Sequence, residues 1–424
     1  MRVSFYTIGC RLNQAETAII EQSFRKTGYN VVDFSDPADV VVINTCTVTE
    51  KGDADTRRFV NKALRVNDKA KIALIGCQAQ TQQTDLFKMP NVQWIVGNER
   101  KMNLAEIIGA TFDAQPQLIT PVVQRDNFTI PVAGIDRRHT RANLKIQDGC
   151  NFFCTFCEIP YARGRARSRV FDDILKEARE LVAAGHKEVV LTGVNIGTYQ
   201  YENKGLVDVV DALGKVDGLE RIRISSVEGT TIAPDLFERM GGNTKLCRHL
   251  HISIQSAHDD ILAAMNRNYT VDEYRALLQR VSEVDGICLG TDVIVGFPGE
   301  TEEHFMQTWR ALREMPFAYF HVFSYSERGH AKSRKLGDKV PQKEIDRRRD
   351  KLRDLSNRKR FLFFESNIGK AHFVLFEQKK NGYWTGLTDS YIRVKVKSEK
   401  SLKNKFVPVM LDEIDHQSMI GHLL

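Results

Sequence analysis

The sequence predicts an α/β protein in three parts: a doubly wound parallel-sheet N-terminal domain, a partial (β/α)6 barrel and a small C-terminal antiparallel β-barrel. Short apolar runs alternate with helical patterns over residues 1–110 and again over residues 141–330, as in proteins built on parallel sheets. The last 59 residues alternate apolar and polar positions instead, and Asn381-Gly382 is typical of a tight hairpin turn. These two patterns predict the fold class.

Each predicted strand of the first domain ends in a cysteine. The predicted strands are Val3–Ile8, Val40–Ile43 and Ile72–Ile75, and the helical patterns between them are Asn13–Thr27 and Asp53–Val66. Cys10, Cys46 and Cys77 follow the three strands, and the carboxyl ends of parallel strands share one edge of a sheet. A single cysteine after a strand is usually a packing residue. Three in equivalent places favour a shared metal, and we assign them a 4Fe–4S cluster with one open iron.

The middle of the chain is predicted to form the partial barrel. Residues 111–140, which contain three prolines, are expected to connect the domains and to include a strand. Residues 141–330 have six predicted strands: Leu144–Ile146, Glu188–Leu191, Arg221–Ser225, Leu250–Ile254, Leu289–Val295 and Ala318–Ser324. Six strand–helix units are too few for an eightfold barrel.

Cys150, Cys154 and Cys157 follow the first of these strands, at the end where such barrels hold their chemistry. Three thiols at this spacing can ligate three irons of a 4Fe–4S cluster and leave the fourth open. Ordinary ferredoxins supply four cysteines, and zinc sites usually pair two Cys-x-x-Cys knuckles, of which this sequence has only one. The spacing resembles that of the radical S-adenosylmethionine (SAM) enzymes. In these enzymes SAM binds the open iron and is cleaved to a 5′-deoxyadenosyl radical.

The C-terminal third is strongly basic. Between Lys332 and Lys405 the chain has 22 Lys or Arg against 9 Asp or Glu, a net +13 in a protein of net +7. This asymmetry favours a polyanionic partner, with a solvated helix face as the alternative. Residues 331–365 are predicted to form a basic helical linker, and residues 366–424 an RNA-binding barrel. The candidate phosphate contacts are Lys379, Lys380, Arg393, Lys395 and Lys397.

No feature of the sequence predicts secretion or membrane insertion. No apolar run approaches the roughly 18 residues needed to span a bilayer, and Met1–Tyr6 has no signal-peptide pattern. Eight cysteines in such a chain favour metal ligation over disulfides. We therefore expect a cytoplasmic monomer that does not bind membranes.

Four segments resemble the motifs of one family, the methylthiotransferases. Three of them surround the N-terminal cysteines, Thr7–Gln14, Ile43–Val48 and Ile75–Gln80, and the fourth runs from Cys150 to Gly164. The terminal barrel resembles the TRAM domain of this family. Gly9–Gln14 with Glu16 is most similar to the branch that acts on threonylcarbamoyladenosine at position 37 of tRNA. The alternatives are the branches that act on isopentenyladenosine or on a ribosomal-protein aspartate. A non-catalytic RNA-binding iron–sulfur regulator is an alternative of another class.

The resemblance implies insertion of a methylthio group at carbon 2 of the adenine, next to the anticodon. That carbon carries an unactivated hydrogen, which requires a radical route with Cys150, Cys154 and Cys157 in the catalytic role. The resemblance further implies a second 4Fe–4S cluster that carries the sulfur, two SAM molecules per turnover, and an electron donor such as flavodoxin or ferredoxin. Arg163 or Arg165 is our candidate partner for the carboxylate of the threonylcarbamoyl group.

Several residues at strand ends are candidates for binding SAM. Gly193 and Asn195 lie where the family contacts the methionine amino group, with a plain strand-to-helix turn as the alternative. Phe156 is expected to pack either on the adenine or on the end of the barrel. The full set is Phe156, Gly193, Asn195, Ser226, Glu228, Gln255, Ser256, Arg267 and Asp292.

The chain departs from the family pattern at three places on the barrel edge. Gly229 replaces a proline, Ala257-His258 replaces Gly-Ser, and Arg328–Ala331 differs from the usual Arg-x-Gly-Thr-x-Ala. These departures concern the substrate more than the clusters. Cys247 and Cys288 fit no ligand spacing and are interpreted as structural.

Overall fold

The N-terminal sheet has six parallel strands in the order β2-β1-β3-β4-β5-β6. The chain was studied as a computed structural model that describes residues 1–136, 138–242 and 244–424. The elements of this part are β1 (Arg2–Thr7), α1 (Arg11–Lys26), β2 (Asn30–Val32), β3 (Val40–Thr45), α2 (Glu50–Val66), β4 (Lys71–Gly76), α3 (Cys77–Gln82), β5 (Val92–Val96), α4 (Leu104–Thr111) and β6 (Gln117–Ile119).

Helices cover both faces of this sheet. Val40 and Val42 of β3 pack with α1 and α4, whereas Val41 and Ile43 pack with α2 on the other face. Successive side chains of a strand point to opposite faces, so a strand covered on both sides is apolar throughout. The predicted doubly wound sheet is confirmed. The connecting segment adds β6, which continues the sheet to Ile119.

The second part is a partial barrel in two sheets, β13-β10-β7 and β14-β15-β16-β17, with all neighbouring strands parallel. Its elements are β7 (Arg141–Lys145), β8 (Gln147–Asp148), α5 (Ile159–Arg163), β9 (Arg167–Ser168), α6 (Phe171–Ala183), β10 (Glu188–Thr192), β11 (Gln200–Tyr201), β12 (Lys204–Gly205), α7 (Leu206–Gly214), β13 (Arg221–Ile224), β14 (Ser226–Val227), α8 (Asp235–Gly241), β15 (His249–Ile252), α9 (Asp259–Ala264), α10 (Val271–Val281), β16 (Cys288–Val295), α11 (Glu302–Glu314) and β17 (Tyr319–Ser324). The barrel has seven strands, but only Ser225 separates β13 from β14, and these two together correspond to the predicted strand Arg221–Ser225. The six predicted strand positions are therefore confirmed.

The last part is a long helix followed by a closed five-stranded barrel in the order β18-β19-β20-β22-β21. Its elements are α12 (Gln342–Glu365), β18 (Ala371–Lys380), β19 (Tyr383–Leu387), β20 (Arg393–Val396), β21 (Phe406–Asp415) and β22 (Ser418–Leu423). The α12 helix packs along β17, where Ser356 Oγ accepts a hydrogen bond from Phe320 N at 2.9 Å.

The prediction of a purely antiparallel barrel is wrong at one pair, because β20 and β22 run parallel. The alternating pattern predicted four strands in this barrel, at His372–Glu377, Tyr383–Leu387, Ile392–Val396 and Phe406–Leu411. The prediction therefore missed β22 and ended β21 too early. The polar residues Asp412–Gln417 resemble a terminal loop, yet β21 continues through Asp415 and turns directly into β22. None of the described helices combines the length and apolar character needed to cross a membrane.

Candidate active site

The three N-terminal cysteines lie together where the strand order reverses. Cys10 follows β1, Cys46 follows β3, and Cys77 begins α3 directly after β4. Gly9 has φ +96°, and a Cβ on it would lie 2.8 Å from Cys46 Cβ and 2.9 Å from Cys46 Sγ. Both the left-handed backbone and the close approach therefore require glycine. The structure thus brings these strand ends together, as the sequence predicted.

The surroundings of this triad are asymmetric. Cys46 and Cys77 are buried, whereas Cys10 is exposed. Burial, followed by the nearby Cys77 thiol, raises the pKa of Cys46 to about 12. Clustered thiols that are costly to ionise favour a bound metal, which offsets the thiolate charge. The exposed Cys10 marks the side from which the triad can be reached.

Arg163, one of our two candidate partners for the substrate carboxylate, lies beneath this triad and is engaged within the protein. Its side chain is 1% exposed, and its Nε donates to Cys77 Sγ at 3.2 Å. Its Nη1 donates to Glu16 Oε1 at 2.9 Å and to Asp148 Oδ1 at 3.0 Å. A guanidinium already paired inside the protein has no free edge for a ligand.

Glu16 of α1 is the anion at the centre of this buried network. Besides Arg163, it pairs with Lys101 at 2.5 Å and with Lys145 of the barrel at 2.7 Å. Burial alone would raise the pKa of Glu16, but the three cations hold it well below its usual value. The network joins the N-terminal domain to the barrel beside Cys77.

Cys150, Cys154 and Cys157 lie in the loop between β8 and α5. Gly149 enters this loop with φ +70°, and a Cβ on it would lie 1.9 Å from Arg165 O. Burial, with Cys154 as the nearest charge, raises the pKa of Cys157 to about 12. Arg267 Nη1 donates to Cys154 Sγ at 3.3 Å. The Arg267 side chain is only 4% exposed.

The spacing of the thiols does not suit a single zinc ion. Zinc–thiolate bonds of about 2.3 Å place two sulfurs no more than about 4.6 Å apart. Among the described residues, the groups with three ligand atoms within 4.8 Å of one another include neither cysteine triad. Each triad would instead ligate three irons of a four-iron cluster. The guanidinium groups beside Cys77 and Cys154 would offset its negative charge.

Two neighbouring cavities contain five of the nine candidate SAM-binding residues. A cavity of about 180 Å³ beside Cys157 is lined by Phe156, Gln255 and Asp292. A larger cavity of about 390 Å³ is lined by Cys10, Gly193, Ser226 and again Asp292; we call it the Cys10 cavity. Asp292 borders both cavities.

Glu228 and Arg267 form a buried ion pair beside the cysteine loop, with 2.5 Å between Oε2 and Nη2. Burial raises the pKa of Glu228, although Arg267 opposes the shift. The other carboxylate oxygen, Oε1, is buried and has no hydrogen-bond partner among the described residues. A buried acceptor without a partner is costly, and a ribose hydroxyl would satisfy it. This orphaned oxygen fits SAM.

Two other candidates are engaged within the protein. Asn195 Oδ1 accepts from Thr231 Oγ1 at 3.1 Å. Ser256 is 1% exposed, and its hydroxyl lies 3.4 Å from that of Thr308. Ser256 is thus better explained by packing than by ligand binding.

The Cys10 cavity also contains residues that the sequence analysis did not single out. His251 of β15 and His321 of β17 flank Asp292, with 2.9 Å between His251 Nε2 and Asp292 Oδ1. Arg11 of α1 and Tyr391, from the terminal barrel, also line the cavity. Arg11 and the histidines follow or lie on predicted strands and could have been found by strand position.

The five candidate phosphate contacts fall into two groups. Lys379, Lys380 and Lys397 are exposed. Arg393 is paired with Glu377 at 3.1 Å, and Lys395 is paired with Asp415 at 2.7 Å. The paired side chains are less available to a polyanion than the three exposed lysines.

Comparisons with known proteins agree with this arrangement. Residues 144–312 match the radical SAM superfamily, and residues 2–97 match the family described as "Uncharacterized protein family UPF0004". A Bacillus subtilis protein named threonylcarbamoyladenosine tRNA methylthiotransferase MtaB is 37% identical over 96% of this chain and 93% of its own length. The chain belongs to the methylthiotransferase family. Its radical SAM domain implies a 4Fe–4S cluster and SAM.

Other methylthiotransferases are also similar along their whole length. The Aquifex aeolicus protein named MtaB is 38% identical over 97% of this chain and all of its own. A tRNA-2-methylthio-N(6)-dimethylallyladenosine synthase of Fusobacterium nucleatum is 32% identical over the full length of both chains. Among solved structures, the methyltransferase TsrM of Kitasatospora setae superposes with a TM-score of 0.58 at 14% identity. That match covers 76% of this chain and 72% of TsrM, and it shows a shared fold.

Proposed function

We propose that this methylthiotransferase inserts a methylthio group at carbon 2 of threonylcarbamoyladenosine at position 37 of tRNA. One observation carries the proposal. The Cys10 cavity reaches from Cys10 of the N-terminal triad to the candidate SAM residues Gly193, Ser226 and Asp292, and its lining includes the Arg11 guanidinium and several hydrogen-bonding side chains. An isopentenyl group requires an apolar slot, whereas a threonylcarbamoyl group requires donors and a cation. The identities of 37% and 38% to the proteins named MtaB support the same branch.

In this proposal the cavity holds the reacting base between two cofactor sites. The cluster at Cys150, Cys154 and Cys157 with one SAM supplies a radical, and a second cluster at Cys10, Cys46 and Cys77, with a further SAM, supplies the methylated sulfur. The chain's own residues hold the thiols, offset their charge and enclose the base. Cofactors carry the difficult chemistry, and the protein positions the substrate and excludes water.

The exposure of Cys10 supports transfer of sulfur from the N-terminal triad into the cavity. Cys46 and Cys77 are buried against Arg163 and the strand ends. Cys10 is exposed and lines the cavity. A sulfur carried at this triad is therefore reached from the cavity, where the adenine would lie.

We infer further that the C-terminal barrel and the basic α12 bind the anticodon stem-loop, with residues 366–424 acting as a TRAM-like domain. The exposed Lys379, Lys380 and Lys397 are the candidate contacts. The reduced cluster also requires an electron donor, such as flavodoxin or ferredoxin. We expect the enzyme to act as a monomer.

Nucleoside mass spectrometry tests the proposed function. tRNA from cells that lack the protein should contain threonylcarbamoyladenosine without its methylthio form, and expression of the protein should restore that form. Purified reconstituted enzyme with SAM and a reductant should produce the same nucleoside from a stem-loop that carries threonylcarbamoyladenosine. Restoration of only the isopentenyl product would assign the enzyme to the other tRNA branch.

A further inference from the structure

The Cys10 cavity contains one guanidinium with no carboxylate partner in the described part of the chain. Arg11 donates one side-chain hydrogen bond, from Nη2 to the Tyr391 hydroxyl at 3.3 Å, and belongs to none of the ion pairs among the described residues. Arg223 also lines the cavity but is paired with Glu188 at 2.8 Å. Arg163 and Arg267 are paired with Glu16 and Glu228.

The ring of Tyr391 is held firmly at this site. It stacks on His249 with 4.2 Å between ring centroids, and the Arg223 guanidinium lies 5.4 Å from its centroid. The backbone of Tyr391 is left-handed, with φ +64°, a conformation that a bulky residue rarely adopts. Such strain persists where the surroundings enforce it and is common at ligand sites. The terminal barrel thus presents a fixed hydroxyl to the cavity.

The electrostatics of the cavity favour an anion. Burial would raise the pKa of Tyr391, but Arg11, Arg141 and Arg223 lower it. Burial and then Arg223, His251 and Arg11 lower the pKa of His249 well below its usual value. For His249 burial is the larger cause, whereas the lowered pKa of Tyr391 reports a positive potential at its hydroxyl, which a bound carboxylate would relieve.

We propose that Arg11, together with the Tyr391 hydroxyl, binds the carboxylate of the threonylcarbamoyl group and so determines the substrate branch. This inference rests on the proposed function. Carbon 2 and the N6 substituent flank N1 of adenine, so one cavity can receive both the reacting carbon and the carboxylate. Arg11 directly follows Cys10, which places the charged end of the substrate beside the triad assigned to the sulfur. A cavity of about 390 Å³ is of the size of small-ligand sites.

The test compares two stem-loops that differ only in the substrate carboxylate. One carries threonylcarbamoyladenosine, and the other carries its carboxamide, which keeps the hydroxyl and removes the charge. Hydrogen bonds to charged groups are strong, so wild-type kcat/KM should favour the carboxylate by about 10- to 100-fold. Arg11→Gln should reduce this preference to near one, mainly by weakening the carboxylate substrate. Arg11→Lys should retain part of it. Binding without reductant should follow the same order.

Three variants make the result specific. Arg25→Gln, at the other end of α1, removes an exposed arginine paired with Glu21 and should keep the full preference. Arg165→Gln removes the other arginine near the cysteine loop, which packs on Phe153 with 4.3 Å from its guanidinium carbon to the ring centroid. Arg165→Gln should also keep the preference for the carboxylate. If Arg165→Gln abolished this preference and Arg11→Gln did not, the inference would be overturned. Tyr391→Phe should lower the preference for the carboxylate several-fold. Tyr391 belongs to a different domain from the cysteines, so this variant should keep its iron.

The outcomes separate the inference from the function on which it rests. If wild-type enzyme does not modify threonylcarbamoyladenosine, the proposed function fails. If it does so and Arg11→Gln still prefers the carboxylate, only the inference is wrong. Should Arg11→Gln lose iron because of its position beside Cys10, Tyr391→Phe decides, and an unchanged preference in that variant would refute the carboxylate site.

Discussion

Glu16 shows how a single buried side chain supports both halves of the active site. Its carboxylate accepts hydrogen bonds from Arg163, Lys101 and Lys145, and Arg163 in turn reaches Cys77. A buried charge that loses its partner costs about 3–5 kcal/mol. Removal of the Glu16 charge would leave three cations facing one another.

Glu16→Gln is therefore expected to lower the free energy of unfolding of the apoprotein by about 3–5 kcal/mol at neutral pH. The pKa of Glu16 is held below its unfolded value of about 4.3. Its stabilisation is thus present above that pH and is lost as the pH falls below it. Urea unfolding at several pH values should show that the free energy of unfolding falls less with decreasing pH in Glu16→Gln than in wild type. Glu106→Gln, at an exposed position of α4, is the matched control. An equal dependence of the free energy of unfolding on pH in wild type and Glu16→Gln would contradict the stabilising role of the Glu16 carboxylate.

The two cysteine triads should behave as independent sites. Reconstituted wild-type protein is expected to bind about eight irons, as two four-iron clusters. Alanine at Cys150, Cys154 and Cys157 should leave about four irons and abolish SAM cleavage, because the open iron that binds SAM is gone. Alanine at Cys10, Cys46 and Cys77 should also leave about four, with SAM cleavage retained and sulfur insertion abolished. Alanine at the buried Cys247 and Cys288 should leave the iron content unchanged. Iron assays and SAM cleavage measure all four, and loss of all iron from one folded triple variant would refute independence.

The helices and strands differ in how clearly their sequences predict them. β3 is apolar at Val40–Ile43 because both faces are covered, and the strand-end rule then placed Cys46 beside Cys10. β22 was not predicted because the end of β21 and the turn after it are polar. Its pairing with β20 depends on the closure of the barrel, which local sequence does not show. The five basic residues of the terminal barrel lie at exposed or half-exposed positions. Sequence alone did not reveal that two of them are paired across strands, with Glu377 and Asp415.

This pairing predicts different salt effects for the two groups of basic residues. Glutamine at Lys379, Lys380 and Lys397 should weaken stem-loop binding and flatten the plot of log affinity against log salt, by about 0.7–0.9 for each phosphate that is no longer neutralised. Glutamine at Arg393 and Lys395 should change that slope less, because their charges are already offset. Fluorescence anisotropy across a salt series measures both. Equal slopes in all variants would mean that RNA does not bind to this surface of the barrel.

At the scale of the whole molecule, the Cys10 cavity is assembled from all three parts of the chain. Arg328 joins the first two by donating to Asp53 at 3.0 Å and to Glu158 at 3.2 Å. Arg223 of the barrel donates to Thr388 O at 2.9 Å in the terminal domain. The two cysteine triads were predictable because local spacing and strand ends place them. Tyr391 was not, because 380 residues separate it from Arg11 and only domain packing brings them together.

The composition of this shared cavity leads to our last prediction, on the choice between tRNA substrates. Arg11, His251, His321 and Tyr391 offer charge and hydrogen bonds in this cavity, beside the apolar Leu12, Val190 and Ile224. An isopentenyl group would leave these polar side chains desolvated and unsatisfied, and hydrogen-bonding sites reject such analogues by up to about 10⁴–10⁵-fold. We therefore expect kcat/KM on threonylcarbamoyladenosine stem-loops to exceed that on isopentenyladenosine stem-loops by at least about 100-fold. SAM cleavage without RNA serves as the control for active enzyme. Equal or better turnover of the isopentenyl substrate would refute the branch but leave the methylthiotransferase family assignment intact.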